Sequence, residues 1–264
     1  MLLKITHRTE YSYDAPVAYA LQRLRLMPTG GPLQRVRSWT LDIEGAREEV
    51  RFLDQFGNDT RLLSVEGAPH AIAIEVRGEI ETYDRAGVSG PHSGFAPLWL
   101  FRRETPLTTP GEGVRDVIAA ISGGSDVERL HSLMNAVTGR VRYTPGTTST
   151  ETSAEEALKL GVGVCQDHSH VFIAGARAMG FPARYVSGYL MMDDVVEQVA
   201  SHAWAEAHVQ GLGWVAFDAA NGISPDERYV RVATGCDYRD AAPVSGIRLG
   251  QAKENLAVRI TVEQ

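Results

Sequence analysis

The first third of the chain alternates between apolar and polar residues, and that period admits few folds. Leu2 to Tyr13 alternates in part. Leu21-Gln22-Arg23-Leu24-Arg25-Leu26 alternates nearly throughout and stops at the turn cluster Met27-Pro28-Thr29-Gly30-Gly31-Pro32. A period of two sends successive side chains to opposite faces, which marks a half-buried strand and argues against a helix. Val36 to Ile43 gives another strand, Asp54-Gln55-Phe56-Gly57-Asn58-Asp59 a tight turn with strands on both sides, and Ala71 to Ile80 a further strand. Short strands separated by turn clusters predict an antiparallel β-sandwich-like domain over residues 1–84.

Residues 85–112, with Gly87, Gly90, Pro91, Gly94, Pro97, Pro106, Pro110 and Gly111, are predicted to be a linker. The period then changes. Val114 to Ile121 and Val127 to Val137 carry apolar residues at helical spacing. Thr152 or Ser153 can cap a third helix, with Glu155 or Glu156 completing a capping box. A fourth helix runs from Cys165 to about Met179, where Gly180 and Pro182 end it. Strands follow at Ala183 to Leu190, His202 to Val209 and Trp214 to Phe217, the last two joined by Gly211-Leu212-Gly213. Further strands are predicted at Tyr229 to Val232 and Leu256 to Val262. Residues 113–264 therefore read as an α+β domain, with helices first and an antiparallel sheet after them.

The 264 residues carry a formal charge of -7, which argues against nucleic acid as a partner, because phosphate binding needs a basic surface. No apolar run approaches the roughly 18 residues that would span a bilayer. The opening Met1-Leu2-Leu3-Lys4-Ile5-Thr6-His7 lacks the features of a signal peptide, so a cytoplasmic location is expected. The two cysteines, Cys165 and Cys236, are too few for a four-thiolate zinc site, and a chain of this size needs no disulfide.

Chemistry concentrates at Cys165. It follows Gly161-Val162-Gly163-Val164 at the start of a predicted helix, where unpaired N–H groups and the helix dipole favour a thiolate. The glycines leave the sulfur uncrowded, and the Cys165 N–H can donate to an oxyanion. His202 can partner the thiol, and Asp218, at the end of the next strand, can hold the imidazole in one tautomer. Along the His202 strand, His202, Trp204, Glu206 and His208 share one face. Ala203, Ala205 and Ala207 share the other, leaving room for a closely packed element. Trp204 is a candidate wall of the acyl site, and Tyr143 a candidate donor to the oxyanion. Cys165, His168 and His170 form a Cys-x2-His-x-His cluster. On a helix, however, His170 points about 140° away from Cys165, so no metal site is expected. His168 is expected on a partly exposed face and His170 as a hydrogen-bonded buried residue. Cys236 reads as a bystander, and Asp193-Asp194 as a solvated loop.

Gly163-Val164-Cys165-Gln166-Asp167-His168-Ser169-His170, Gly180-Phe181-Pro182-Ala183-Arg184-Tyr185-Val186-Ser187-Gly188-Tyr189, Ser201-His202-Ala203-Trp204 and Gly213-Trp214…Phe217-Asp218 together closely resemble the bacterial transglutaminase-like superfamily. Phe52 to Asn58 resembles the β-domain that precedes the core in one bacterial branch, and Arg231 to Gly235 with Asp237 to Pro243 resembles that branch's C-terminal segment. The resemblance implies a papain-like core, a triad of Cys165, His202 and Asp218, and thiol acyl chemistry on amides; a protein, peptide or other amide substrate and no cofactor are expected. Hydrolysis, as in a cysteine protease or amidase, is the expected outcome. Transfer to an amine, as in a transglutaminase, is the alternative, and a non-catalytic interaction protein a further one. Three positions depart from the family pattern. His168 stands where an aromatic residue is usual, Ala219-Ala220 where a Pro-Thr pair is common, and Cys236 where Arg is frequent.

Overall fold

The structure is a computed structural model and describes residues 1–65, 67–193 and 195–264. The alternating first third forms β1 (Leu2–Tyr13), β2 (Tyr19–Met27), β3 (Gln34–Glu44), β4 (Ala46–Leu53), β5 (Asp59–Val65) and β6 (Ala71–Thr82). A short β7 (Val88–Gly90) and a 3-10 turn at Leu98–Arg102 lead into α1 (Glu112–Ala119) and α2 (Asp126–Arg140). Then come β8 (Arg142–Tyr143), α3 (Ala154–Leu160), β9 (Val162–Gly163) and α4 (Cys165–Ala178). The remainder is β10 (Ala183–Leu190), β11 (Glu197–Gln198), β12 (His202–Val209), β13 (Gly213–Phe217), β14 (Tyr229–Gly235), α5 (Tyr238–Ala241), β15 (Val244–Leu249) and β16 (Glu254–Glu263).

Two sheets, ordered β11-β16-β1-β6-β3 and β15-β2-β5-β4, face each other across a core that includes Leu24, Leu26, Leu63, Ile72, Ile74 and Val76. This is the antiparallel sandwich that the alternation predicts, with one correction. Chain order assigns the C-terminal strands to the second half, with residues 113–264. Instead β16 pairs with β1 from Lys4↔Glu263 to Tyr13↔Glu254, and β15 pairs with β2. Alternation identifies a strand and its buried face but carries no information about its partner.

A third sheet, β14-β10-β12-β13-β7, carries the helices. β7 and the 3-10 turn fall within the segment expected to be a linker. β7 pairs with β13, and Phe101 packs edge-on to Trp214 at 5.1 Å, so this stretch lies against the third sheet. Capping is divided between two acids. Ser153 and Glu156 form the capping box of α3, while Glu155 accepts the N–H groups of Gly111, Gly113 and Val114 at the start of α1.

The centre of this half is α4. Residues 166–177 are all buried, so the helix has no solvent face. The small side chains of Ala203, Ala205 and Ala207 on β12 belong to the same core cluster as Val171, Phe172 and Ala174 of α4. Gly175 lets α2 come close: a Cβ there would lie 2.8 Å from Leu133 Cδ1. The halves meet through Leu3, Ile5, Ile80, Ile260 and Val262 on one side and Tyr189, Val230 and Val232 on the other.

Candidate active site

A short turn delivers Cys165 to its place. Gly161 ends α3 with φ 66°, a left-handed conformation that favours glycine. β9 then pairs in parallel with β8, setting Gly163 opposite Tyr143. Asp167, one turn into the next helix, closes the entry: its Oδ2 accepts from Val164 N at 2.7 Å and Thr148 Oγ1 at 2.7 Å. Burial pushes the Asp167 carboxyl up, against the pull of these donors. A Cβ on Gly163 would lie 2.7 Å from the Asp167 Cβ, so this turn requires glycine. Cys165 is the first residue of α4 and half-buried. Its N–H belongs to the first helical turn, which has no intrahelical acceptor.

His202 opens β12 and joins the thiol to the acid. Its Nε2 lies 2.6 Å from Asp218 Oδ2, which leaves Nδ1 free of that bond, and Cys165 acts electrostatically on the ring. Burial opposes a charge on the ring. The hydrogen bond to Asp218 and the interactions with Cys165 and the Asp218 charge outweigh it and hold His202 up at about 10.

Asp218 is fully buried and richly bonded. Oδ2 accepts from His202, from Asn221 Nδ2 at 2.7 Å and from the Tyr229 hydroxyl at 2.8 Å. Oδ1 accepts from the backbone N–H of Ala220 at 3.0 Å and of Asn221 at 3.2 Å. Burial alone would raise this carboxyl, but its donors bring it below the ordinary carboxylate range. The Ala219-Ala220 departure leaves this turn intact, because it uses a backbone N–H at Ala220 and no side chain there.

The structure brings Cys165, His202 and Asp218 together. Trp204 lies behind the histidine: it is 3% exposed, stacks on His202 at 6.2 Å and meets Tyr229 edge-on at 5.4 Å. It thus supports the ring and offers little surface to a substrate. Gly188 makes room for it, since a Cβ there would lie 2.8 Å from Trp204 Cη2. Tyr143 is 52% exposed, and its hydroxyl is pushed up first by burial and then by the charges of Cys165 and Asp218. A cleft of about 510 Å³ opens beside Tyr143, lined in part by Arg142, Leu160, His168 and Ala220, and none of Cys165, His202 and Asp218 lines it.

His168 corrects an expectation. It is 1% exposed, with Nδ1 2.8 Å from Val164 O and Nε2 2.7 Å from Val141 O. A partly exposed face was expected, but α4 is surrounded on all sides. His170 is buried, accepts from Tyr238 N, and is lowered by burial to about 4. The two imidazoles therefore bond away from the thiol and from each other. Cys236 is buried near Phe101 and Trp214, and burial pushes its thiol up to about 11. Asp193 is exposed, as expected, while Asp194 lies outside the described residues. Asn221 and Tyr229 were not anticipated. Asn221-Gly222 is a turn signal adjacent to Asp218 and could have pointed to the first. Nothing local marks Tyr229, which comes from a different strand.

Among known proteins, residues 115–219 match the model of the transglutaminase-like superfamily, and residues 3–81 match that of the bacterial transglutaminase-like N-terminal region. An uncharacterised protein of Mycobacterium leprae (strain TN) is 30% identical over 277 residues, covering 98% of this chain and 98% of the relative. An uncharacterised protein of Mycobacterium tuberculosis (strain ATCC 25618 / H37Rv) is 28% identical over 287 residues, covering 98% and 91%. The crystal structure of a candidate cysteine protease from Cytophaga hutchinsonii is similar in fold. It has a TM-score of 0.74 at 20% identity and covers 100% of this chain and 92% of the other. Among the described residues, no helix is long and apolar enough to cross a membrane.

Proposed function

The chain belongs to the transglutaminase-like superfamily, and from that premise we propose that it is a thiol hydrolase of amide or peptide bonds acting through a Cys165 thioester. The observation that carries this reading is the position of His202, bonded to Asp218 through Nε2 at 2.6 Å while Cys165 acts electrostatically on the same ring. The Cys165 sulfur attacks the carbonyl carbon, and the oxyanion forms beside the Cys165 N–H. His202 gives its Nδ1 proton to the departing amine as the C–N bond breaks. Formation of the thioester removes the thiolate charge that helps hold this proton, which eases its release. Neutral His202 then takes a proton from water, whose oxygen attacks the thioester. The C–S bond breaks, the acid leaves, and the thiolate and imidazolium return. Asp218 keeps Nε2 protonated throughout.

An amine in place of water gives transglutaminase chemistry through the same thioester. Incubation with a peptide library and a primary amine, read by mass spectrometry, tests the assignment. Products that gain water are expected. Products that gain the amine instead would reject hydrolysis in favour of transfer, and equal turnover by Cys165→Ala would end the thiol reading.

A further inference from the structure

The outer edge of β14 is bonded by side chains from the β-sandwich. β14 is the last strand of its sheet, with β10 on one side. An open edge leaves backbone N–H and C=O groups unpaired. Here two carboxamides take the place of a neighbouring strand. Gln34 donates from Nε2 to Arg231 O at 2.7 Å and accepts Arg231 N on Oε1 at 2.8 Å. Asn58 does the same at Thr234, with both contacts at 2.8 Å. A carboxamide presents one donor and one acceptor side by side, so each matches the backbone pair of one residue.

Both amides are themselves held. Gln34 Nε2 also donates to Thr29 O at 2.8 Å. Asn58 Nδ2 also donates to Asp54 Oδ2 at 2.9 Å, and Asp54 pairs with Arg25 at 3.0 Å. Gln34, Asn58, Asp54 and Arg25 are all buried, so the clamp is built into the sandwich. The strand that it holds begins with Tyr229, whose hydroxyl reaches Asp218 Oδ2 at 2.8 Å and whose ring lies 5.8 Å from that of His202.

We propose that Tyr229 is a positioning residue for Asp218, and that the β-sandwich sets its place by clamping β14 through Gln34 and Asn58. The N-terminal domain thereby completes the site while contributing no group to the chemistry. This inference rests on the proposed triad. His202, Asn221 and Tyr229 donate to Asp218, and the charges of Cys165 and Asp226 act on the same group of side chains. Loss of the Tyr229 hydroxyl removes one donor that favours the ionised acid, so Asp218 takes up a proton at higher pH.

The test is the rate of iodoacetamide alkylation of Cys165 against pH in the full chain, with His202→Ala as reference. If His202→Ala reproduces the wild-type profile, the triad itself fails and the inference falls with it. With a His202-dependent profile, Tyr229→Phe, which keeps the ring, is expected to move the acid limb to higher pH. On that limb it should slow alkylation about tenfold, the scale of one charge-assisted hydrogen bond. A Tyr229→Phe limb superimposed on wild type overturns the positioning role. Gln34→Ala and Asn58→Ala, checked for cooperative unfolding, should shift the limb in the same direction by less. If neither does while Tyr229→Phe does, the clamp is overturned. Should both alanine variants fail to fold, Gln34→Glu, which keeps the acceptor and loses the donor, decides the point on the same criterion.

Discussion

Asp218→Asn exchanges one carboxylate oxygen for an NH2 of nearly the same volume and removes the charge, and it is expected to disable the thiol. If the new side chain keeps its oxygen on the N–H groups of Ala220 and Asn221, its NH2 faces the three donors that Oδ2 now satisfies. Tyr229 can turn its hydroxyl to accept. His202 can accept at Nε2 only by moving its proton to Nδ1, and that tautomer cannot take a proton from the thiol. In the wild type, raising His202 from its ordinary 6.5 to about 10 is a preference of about 5 kcal/mol for the protonated ring, shared between Asp218 and Cys165. Taking half of it for Asp218 gives roughly 2 to 3 kcal/mol, or a loss of about thirty- to 150-fold. The assay is alkylation of Cys165 by iodoacetamide at pH 6, with the modified peptide read by mass spectrometry to separate it from Cys236. A variant within twofold of wild type would refute the reasoning, because it would mean that the acid does not govern the charge on the histidine.

Three further outcomes follow from the same geometry. His202 titrates higher in the folded chain than in the unfolded one, so its stabilisation is full below about pH 6.5 and is lost as pH rises toward about 10; the thermal midpoint of the wild type should therefore fall more from pH 7 to 10 than that of His202→Ala, and equal falls would contradict the linkage. Gly188→Ala would put a Cβ 2.0 Å from Val230 O, so urea denaturation should show a loss above ~3 kcal/mol, and a loss below ~1 kcal/mol would mean that the β10–β14 seam yields. Truncation after Pro243 removes β15 and β16 and uncovers β1 and β2; the shortened chain should be insoluble, and a soluble fragment with cooperative unfolding would show that the sandwich closes without them.

What the sequence disclosed was mostly local. Alternation in residues 21–26 and 71–80 was enough to find strands, because the burial of one face writes itself into every second residue. Cys165, His202 and Asp218 were legible because each sits at the end of an element that announces itself: a glycine-containing turn into a helix, and the ends of two adjacent strands. What stayed hidden was pairing across long separations. Nothing in residues 254–263 says that they will lie along residues 4–13. The burial of His168 was missed because a residue's exposure on a helix depends on how many neighbours the helix acquires, and α4 is enclosed on every side.

The same distinction separates the triad from its support. A nucleophile, a base and an acid need particular side-chain chemistry, so they stand out by residue type. Tyr229, Gln34 and Asn58 need only a hydroxyl or an amide in the right place, which many positions in any chain can offer. Their importance comes from position: 11 residues separate Tyr229 from Asp218, and Asn58 lies 176 residues from the strand that it holds. An acid with five donors, as Asp218 has, is rigid only if those donors are rigid. Two of the five are backbone N–H groups of its own turn, and Asn221 belongs to that turn as well. His202 is the group being positioned. Among the described donors, Tyr229 is therefore the one that ties Asp218 to a distant, independently fixed element, and the sandwich is what fixes that element from outside the half that holds the proposed triad.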